Sequence, residues 1–205
     1  MDEKIHEQSM DPALNKTDIY NKWSNTYEDY VKDLKYYGPT NLSLKLKEFI
    51  TDKSDINILD FGCGTGLVGL ELYKLLNEDY NLNIDGLDIS ENMIQKCRQK
   101  NIYNHIWNLD LTQKSLPDNY QYDFIVSSGV FLEGHARFSI IENLLNSLKP
   151  QNYLVFTTRI TFLNNNFTDF YKHVTKNKRC NMVYCEDIDY LKNVKCKLII
   201  LYKIF

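Results

Sequence analysis

The chain has 205 residues, of which 43% are hydrophobic and 25% charged, proportions typical of one globular domain with a sizeable core. Its formal net charge of −3 argues against a nucleic-acid partner, and no apolar run reaches the roughly 18 residues that a membrane span requires. The five cysteines contain no Cys-x-x-Cys pair and the first residues are highly charged, so we expect a cytoplasmic protein with neither a structural metal site nor a secretory signal.

The N-terminal residues divide into a polar stretch and an aromatic one. Residues 1–16 show no hydrophobic period, and we expect them to form a disordered tail. Beyond them, apolar residues recur every three or four positions, which predicts a helix capped by Thr17 or Asp18, and a second short helix is predicted over 42–50. The aromatic face of the first helix either packs on the domain or closes over a ligand as a lid. Its rings include Tyr20, Trp23 and Tyr27.

The most informative stretch runs from Ile56 to Gly69. It combines an apolar run that predicts a buried strand over 56–61, three glycines at alternate positions and a helix predicted over 67–77. A strand, a glycine turn and a helix in direct succession are typical of a nucleotide-binding loop, because the free N–H groups at the start of the helix face the ligand. The three glycines are Gly62, Gly64 and Gly66.

The glycine pattern is compatible with two kinds of ligand. Gly64, Gly66 and Gly69 form G-x-G-x-x-G, and Asp88 follows about 20 residues later, as in dinucleotide-binding folds. Alternatively, Asp60 opens the pattern Asp-x-Gly-x-Gly-x-Gly. A carboxylate at this position repels a pyrophosphate but suits a ligand with an ammonium group and no phosphate, such as S-adenosylmethionine. The sequence therefore favours the second interpretation.

Acidic residues also end the next two predicted strands, 83–88 and 103–109. Asp88 can accept hydrogen bonds from both hydroxyls of a ribose, since Ser90 is better placed to cap the following helix. Asp110 is either an acceptor for the adenine amino group or a solvated loop acid. Two apolar residues near these acids can contact the adenine, although core packing explains the first nearly as well: Met93 and Leu111.

The fourth predicted strand, 122–127, is apolar enough to be buried in a parallel sheet. Ligands of open α/β sheets bind beyond the carboxyl ends of the strands, so the loop from Ser127 to His135 is expected to border the site. His135 is either merely exposed or a catalytic base. The remaining predicted elements are a helix over 138–148, a strand over 153–158, a helix within 161–176, a weak strand over 182–185 and a final strand over 197–205.

Three motifs resemble those of the class I S-adenosylmethionine-dependent methyltransferases: Asp60-Phe-Gly-Cys-Gly-Thr-Gly, Gly86-Leu-Asp-Ile-Ser and Leu148-Lys-Pro. Within that class, the segments 20–31, 129–135 and 156–159 resemble the Williams–Beuren-region methyltransferase-like proteins. The resemblance implies an α/β, Rossmann-like, mostly parallel seven-stranded sheet of order 3-2-1-4-5-7-6 with strand 7 antiparallel and helices on both faces. It also implies one domain over 17–205, in which a helical lid, 17–50, covers a core of residues 56–205.

The resemblance further implies which residues contact the cofactor. They are Asp60, Gly62, Gly64, Gly66, Asp88, Ile89, Asp110 and Leu111, with the lid residues Tyr20, Trp23 and Tyr27 above them. Cys63, Met93 and Ser127 complete the set of candidate contacts. We expect S-adenosylmethionine as the cofactor and S-adenosylhomocysteine as its product.

The expected reaction needs alignment more than chemical assistance. Methyl transfer is an in-line displacement, and a base such as His135 helps only when the acceptor must lose a proton. The fourth strand is followed by Ser127-Ser-Gly-Val, without a Pro-Cys nucleophile or an Asn/Asp-Pro-Pro-Tyr/Phe clamp for a flipped base, so nucleic acid is not the expected acceptor. A small molecule or a protein side chain remains, and the oligomeric state stays open. The alternatives are a catalytically silent regulatory protein that binds the cofactor or a partner, and a nicotinamide enzyme, which Asp60 disfavours.

Overall fold

The computed structural model describes residues 2–51, 55–117 and 119–205. Its strands are β1 (Asp55–Phe61), β2 (Asn81–Asp88), β3 (Ile106–Asn108), β4 (Tyr122–Phe131), β5 (Leu148–Arg159), β6 (Cys180–Leu191) and β7 (Val194–Lys203). They form one sheet in the order β3-β2-β1-β4-β5-β7-β6. The first five strands pair in parallel, whereas β7 pairs antiparallel with both β5 and β6. The predicted fold class and strand order are confirmed.

Helices precede the sheet and connect its strands. They are α1 (Asp2–Ser9), α2 (Lys16–Trp23), α3 (Tyr27–Asp33), α4 (Gly38–Lys47), α5 (Leu67–Leu76), α6 (Glu91–Arg98), α7 (Ile141–Ser147), α8 (Ile160–Asn165) and α9 (Phe167–Phe170). A 3-10 turn, Phe138–Ile140, precedes α7, and a π-helical turn, Tyr171–Thr175, follows α9. No helix among the described residues combines the length and apolarity needed to cross a bilayer.

The core lies on both faces of the sheet because successive residues of a strand point to opposite sides. Ile58 of β1 belongs to the cluster beneath α4 and α5, which includes Leu46 and Leu72. Its neighbour Leu59 belongs to the other cluster, where Phe138 and Phe170 cover the sheet. Burying one such side chain contributes about 1.5–3 kcal/mol. The two layers hold the carboxyl ends of β1, β2 and β4 together at one edge of the molecule.

The N-terminal residues differ from the prediction. Residues 2–9 form α1 rather than a disordered tail, and the His6 ring lies 5.7 Å from that of Trp23 while Ser9 is buried. Met1 lies outside the described residues. The polar composition of this segment gives no hydrophobic period, and the contacts that stabilise its helix are made with residues distant in the sequence. The helix expected to begin at Thr17 is α2 followed by α3, and Asn15, not Thr17 or Asp18, caps α2 by accepting from the Asp18 N–H.

Several strand boundaries also differ from the prediction. β4 continues through most of the expected loop to Phe131, and β6 spans Cys180–Leu191 rather than 182–185, because pairing with β7 stabilises a polar edge strand. β5 begins at Leu148, where a helix end was predicted. By contrast, β3 is only Ile106–Asn108, and the ring of Tyr103, before this strand, packs close to Gly69 and Gly86.

Candidate active site

A cavity of about 270 Å³ opens at the carboxyl ends of β1, β2 and β4. Its wall includes ten of the predicted residues: Tyr20, Tyr27, Gly62, Gly64, Asp88, Ile89, Met93, Asp110, Leu111 and His135. It also includes residues that the sequence did not single out, among them Lys16, Phe61, Ser128 and Val130. The topology therefore brings the end of each strand and the N-terminal aromatic helices to one place.

The glycine loop presents its backbone to this cavity at Gly64. A Cβ built at Gly64 would have no heavy atom within 4 Å, whereas one at Gly66 would lie 2.9 Å from the Cys97 sulfur. Gly66 has φ = 89° and directly precedes α5, so this position needs a residue that tolerates the left-handed region. Gly64 is thus the glycine beside which a ligand has room, and Gly66 shapes the turn.

Asp88 joins the glycine loop to β2. Its Oδ2 accepts from the Gly64 N–H at 2.9 Å, and its Oδ1 accepts from the Ser90 N–H at 2.8 Å. Burial raises the pKa of this carboxyl, and the two backbone N–H groups oppose that rise. A carboxylate has about four acceptor sites, so Asp88 retains capacity for hydroxyl donors in the cavity. Ser90 caps α6 by accepting from the Met93 N–H, as predicted.

Asp60 lies behind the loop, not in the cavity wall. Strand alternation places it on the same face as Ile58, while its neighbour Phe61 lines the cavity. Its Oδ2 accepts from the Tyr103 hydroxyl at 2.7 Å, and its buried Oδ1 has no partner among the described residues. Burial raises the pKa of Asp60 to about 7. Asp60 therefore does not line the cavity directly, and its interaction with a ligand ammonium group stays a prediction.

Tyr103 supports the loop from below, a role that the sequence did not reveal. Its hydroxyl donates to Asp60 and accepts from the Gly69 N–H at 3.1 Å. A Cβ at Gly69 would lie 2.2 Å from that hydroxyl oxygen, and one at Gly86 would lie 3.1 Å from the same ring. Position 69 is consequently a glycine because any side chain there would clash with Tyr103. The G-x-G-x-x-G spacing thus has an explanation that involves no dinucleotide.

Tyr20 and His135 cover one side of the cavity, here called its roof, and a hydrogen bond joins them. The His135 Nε2 lies 2.8 Å from the Tyr20 hydroxyl, and its Nδ1 lies 2.8 Å from the Glu133 carbonyl oxygen. Because a carbonyl oxygen only accepts, Nδ1 carries the proton and Nε2 accepts from Tyr20. Burial lowers the pKa of His135 to about 4, so the imidazole is neutral at pH 7. His135 is enclosed, and its lone pair is already engaged.

Five predicted contacts lie outside the cavity wall. Asp60 and Gly66 are described above, and Cys63 is buried beneath the loop. Ser127 donates to the Phe61 carbonyl at 2.9 Å inside the sheet, so its neighbour Ser128 lines the cavity instead. Trp23 packs against His6 and lines a smaller neighbouring cavity. Strand parity and helix rotation, which motif spacing does not determine, account for these differences.

Asp110 lies in the wall but is already engaged in a turn. Its Oδ1 accepts from the backbone N–H and the hydroxyl of Thr112, at 2.8 and 2.7 Å, and its Oδ2 accepts from Gln113 at 3.1 Å. These bonds fix the carboxylate at the end of the cavity near Leu111. Both interpretations from the sequence, a loop acid and an adenine acceptor, therefore remain compatible with its position.

Comparison with known families decides the classification. A family model described as a methyltransferase domain matches residues 52–198, most of the chain. The chain belongs to this methyltransferase family. The predicted class, the class I S-adenosylmethionine-dependent methyltransferases, and the predicted cofactor are confirmed at the level of the family.

The relatives of this methyltransferase have several activities. It is 32% identical over 144 residues to malonyl-[acyl-carrier protein] O-methyltransferase 2 of Ilyobacter polytropus, covering 68% of this chain and 51% of that protein. It is 27% identical over 146 residues to methyltransferase-like protein 27 of Homo sapiens, covering 70% and 58%. Its chain thus spans about half the length of the curated relatives it matches.

A similar fold occurs in a Listeria monocytogenes protein assigned to the class I S-adenosylmethionine-dependent methyltransferases. The two structures share a TM-score of 0.66 at 20% sequence identity, over 82% of this chain and 59% of the other. The likeness supports the fold and says nothing about the acceptor.

Proposed function

We propose that this protein transfers the methyl group of S-adenosylmethionine to a small acceptor, with residues 17–205 as one catalytic domain in the cytoplasm. The observation that carries the proposal is the pairing of Gly64 with Asp88 in the wall of the cavity. The space beside Gly64 fits a ligand that approaches the backbone closely. The free acceptor capacity of Asp88 fits ribose hydroxyls.

The other walls fit the remaining parts of the cofactor. Ile89, Met93 and Leu111 provide apolar surface for the adenine, and Asp110 provides an acceptor at its edge. The unpartnered Oδ1 of Asp60 lies behind the loop, where an ordered water could link it to the cofactor ammonium group. When bound, S-adenosylmethionine supplies a methyl group on a positively charged sulfur.

The residues of the chain orient the reactants and exclude water. Tyr20 and Tyr27 close the cavity from above, and burial raises the pKa of both phenols, so they stay neutral. Where the acceptor carries a proton, Tyr20 can accept it on its oxygen while passing its own proton to the Nε2 of His135. In this proposal His135 acts through Tyr20 and not directly on the acceptor.

The relatives support a small oxygen acceptor without identifying it. The Ilyobacter polytropus protein is named for methyl transfer to an oxygen, and the formal net charge of −3 argues against a nucleic-acid acceptor. The similarity to methyltransferase-like protein 27 is in keeping with the subfamily resemblance found in the sequence, which stays a proposal.

Isothermal titration calorimetry with S-adenosylmethionine and S-adenosylhomocysteine tests the proposal. The wild-type protein should bind both, and Asp88→Asn should weaken each at least about tenfold, because one acceptor is replaced by a donor. Asp79→Asn is the matched control, since Asp79 is a surface residue paired with Lys47. A folded wild-type protein that binds neither ligand refutes the proposal. Binding without turnover on a panel of small acceptors would favour the silent regulatory alternative.

A further inference from the structure

A second cavity, of about 60 Å³, adjoins the first one. It is enclosed largely by aromatic rings, and the two cavities share Tyr20, Tyr27 and Gly129 in their walls. Gly129 lies in β4, the strand between β1 and β5 in the sheet. A molecule that extended from the second cavity past Gly129 would enter the first. The smaller cavity is therefore placed to hold part of the methyl acceptor.

Arg159 provides a positive charge to this aromatic cavity. It is the last residue of β5 and lines the cavity. Among the described residues, its guanidinium has neither a hydrogen bond nor an ion pair, which distinguishes it from Arg98, paired with Glu91, and Arg179, paired with Glu142. A guanidinium held in a half-buried position without a counter-ion is unfavourable. An anionic ligand would supply the missing partner.

Trp23, which also lines this cavity, has an unused hydrogen-bond donor. The residue is only 2% exposed, and its indole Nε1 is buried without a hydrogen-bond partner. An unpaired buried donor of this kind costs about 1–3 kcal/mol. Trp23 and Arg159 come from α2 and β5, which are far apart in sequence. The two residues nevertheless line one pocket, and each has a donor group without a partner among the described residues.

The charges around the cavity favour a single negative charge. Burial and the nearby Arg159 lower the pKa of His6, the other basic residue of the wall, so it is neutral at pH 7. Glu7 acts on the pKa of His6 in the opposite direction but is not in the wall. Glu133, an acid of the adjoining loop, is not in the wall either and accepts from Thr161 at 2.6 Å. One water needs roughly 10–15 Å³ of such a volume, so the cavity accommodates a group of a few heavy atoms. A carboxylate has that size, that charge and a planar shape that matches the guanidinium fork.

We propose that Arg159 and the indole N–H of Trp23 bind a carboxylate group of the methyl acceptor, which makes the acceptor a small organic acid. The proposal rests on the proposed function only in calling this ligand the acceptor. The rings of Tyr36 and Tyr190, whose centroids are 5.0 Å apart, form an apolar wall for the rest of the acid. Arg159 lies in the segment 156–159 that the sequence associated with a subfamily but with no role.

Nuclear magnetic resonance of the indole N–H groups tests this assignment. The chain has two tryptophans, and Trp107 in β3 serves as an internal reference because it is not part of either cavity wall. The probes are acetate, malonate and benzoate, each compared with its neutral amide. At least one acid should shift the Trp23 indole signal saturably, and its amide should bind at least about tenfold more weakly, a difference of about 1.4 kcal/mol.

Arg159→Gln should weaken the acid at least tenfold and leave the amide unchanged, whereas Arg98→Gln, a matched change at a paired surface arginine, should leave both unchanged. Trp23→Phe lacks the reporter indole, so its affinity for the acid is measured by calorimetry, and it should be weakened less than that of Arg159→Gln. The proposal is overturned if no acid binds in an Arg159-dependent way, or if acid and amide bind equally. Calorimetry with S-adenosylmethionine on the same samples separates the two proposals. Both proposals are supported if Arg159→Gln still binds the cofactor but loses the acid. Only the methyl-transfer function is refuted if the wild-type protein binds an acid through Arg159 but does not bind the cofactor.

Discussion

Replacing Asp60 by asparagine should make the free energy of unfolding depend less on pH. The Asp60 carboxyl is fully buried beneath the glycine loop and has a pKa of about 7 in the folded protein, against 3.8 for an exposed aspartate. Asparagine has nearly the same shape and can still accept the hydrogen bond from Tyr103, but it never ionises. The substitution therefore removes the titration while preserving the packing.

The sign and size of the effect follow from linkage. Between pH 3.8 and 7 the folded state holds a proton on Asp60 that the unfolded state has released, so the free energy of unfolding falls as the pH rises through this window. Each pKa unit corresponds to about 1.4 kcal/mol, so Asp60 should lower the stability of the wild type by about 2–3 kcal/mol between pH 5 and pH 8. Above pH 8 the loss should level off.

Urea unfolding of wild type and Asp60→Asn at pH 5, 6, 7 and 8 measures this loss. From pH 5 to pH 8 the stability of Asp60→Asn relative to the wild type should rise by about 2–3 kcal/mol. A difference between the two proteins that is the same at every pH does not bear on the prediction. Asp79→Asn, at an exposed ion pair with Lys47, should show a difference that is nearly independent of pH. A pH-independent difference for Asp60→Asn would show that the carboxyl is not buried as described.

Three further predictions concern the loop and the roof. Gly69→Ala should lower the free energy of unfolding by about 1–3 kcal/mol, because its Cβ clashes with the Tyr103 ring. Gly64→Ala should lower it by only about 1 kcal/mol, the strain of its φ of 53°, but should weaken S-adenosylmethionine binding. Urea unfolding measures the first effect in both variants, and calorimetry measures the second. Tyr20→Phe and His135→Ala should each weaken cofactor binding by about 1 kcal/mol, and calorimetry of the double variant should give a loss smaller than the sum of the two. Ser90→Ala should cost about 1 kcal/mol of stability, and hydrogen exchange should show weaker protection in the first turn of α6; unchanged protection would contradict its capping role.

The sheet order could be predicted only through the resemblance to the class I methyltransferases, whereas the position of the cavity could be predicted from local signals in the sequence. A strand, a glycine turn and a helix within 56–77 are contiguous, and the acids at 88 and 110 follow strands whose ends must meet at one edge of a parallel sheet. For the same reason ten of the predicted site residues line the cavity. Their chemical roles toward a ligand stay predictions.

The remaining features depend on parity and on distant contacts. Whether Asp60 or Phe61 faces the cavity is decided by a shift of one residue along β1, which the motif does not specify. Tyr103 is one aromatic residue among many, and its role is visible only once Gly69 and Gly86 are seen to make room for its ring. Helix α1 escaped prediction because its stabilising contacts lie with Trp23 and Tyr30, beyond its own sequence.

The N-terminal helices are fastened to the core at several separate points. The Asn21 side chain accepts from the Ser90 hydroxyl at 2.7 Å and from the Asn92 N–H at 3.1 Å, beside the hydrogen bond from Tyr20 to His135. If S-adenosylmethionine binds as proposed, these bonds hold α2 beside it. We therefore expect them to slow the release of S-adenosylhomocysteine, so that product release rather than the displacement would limit turnover.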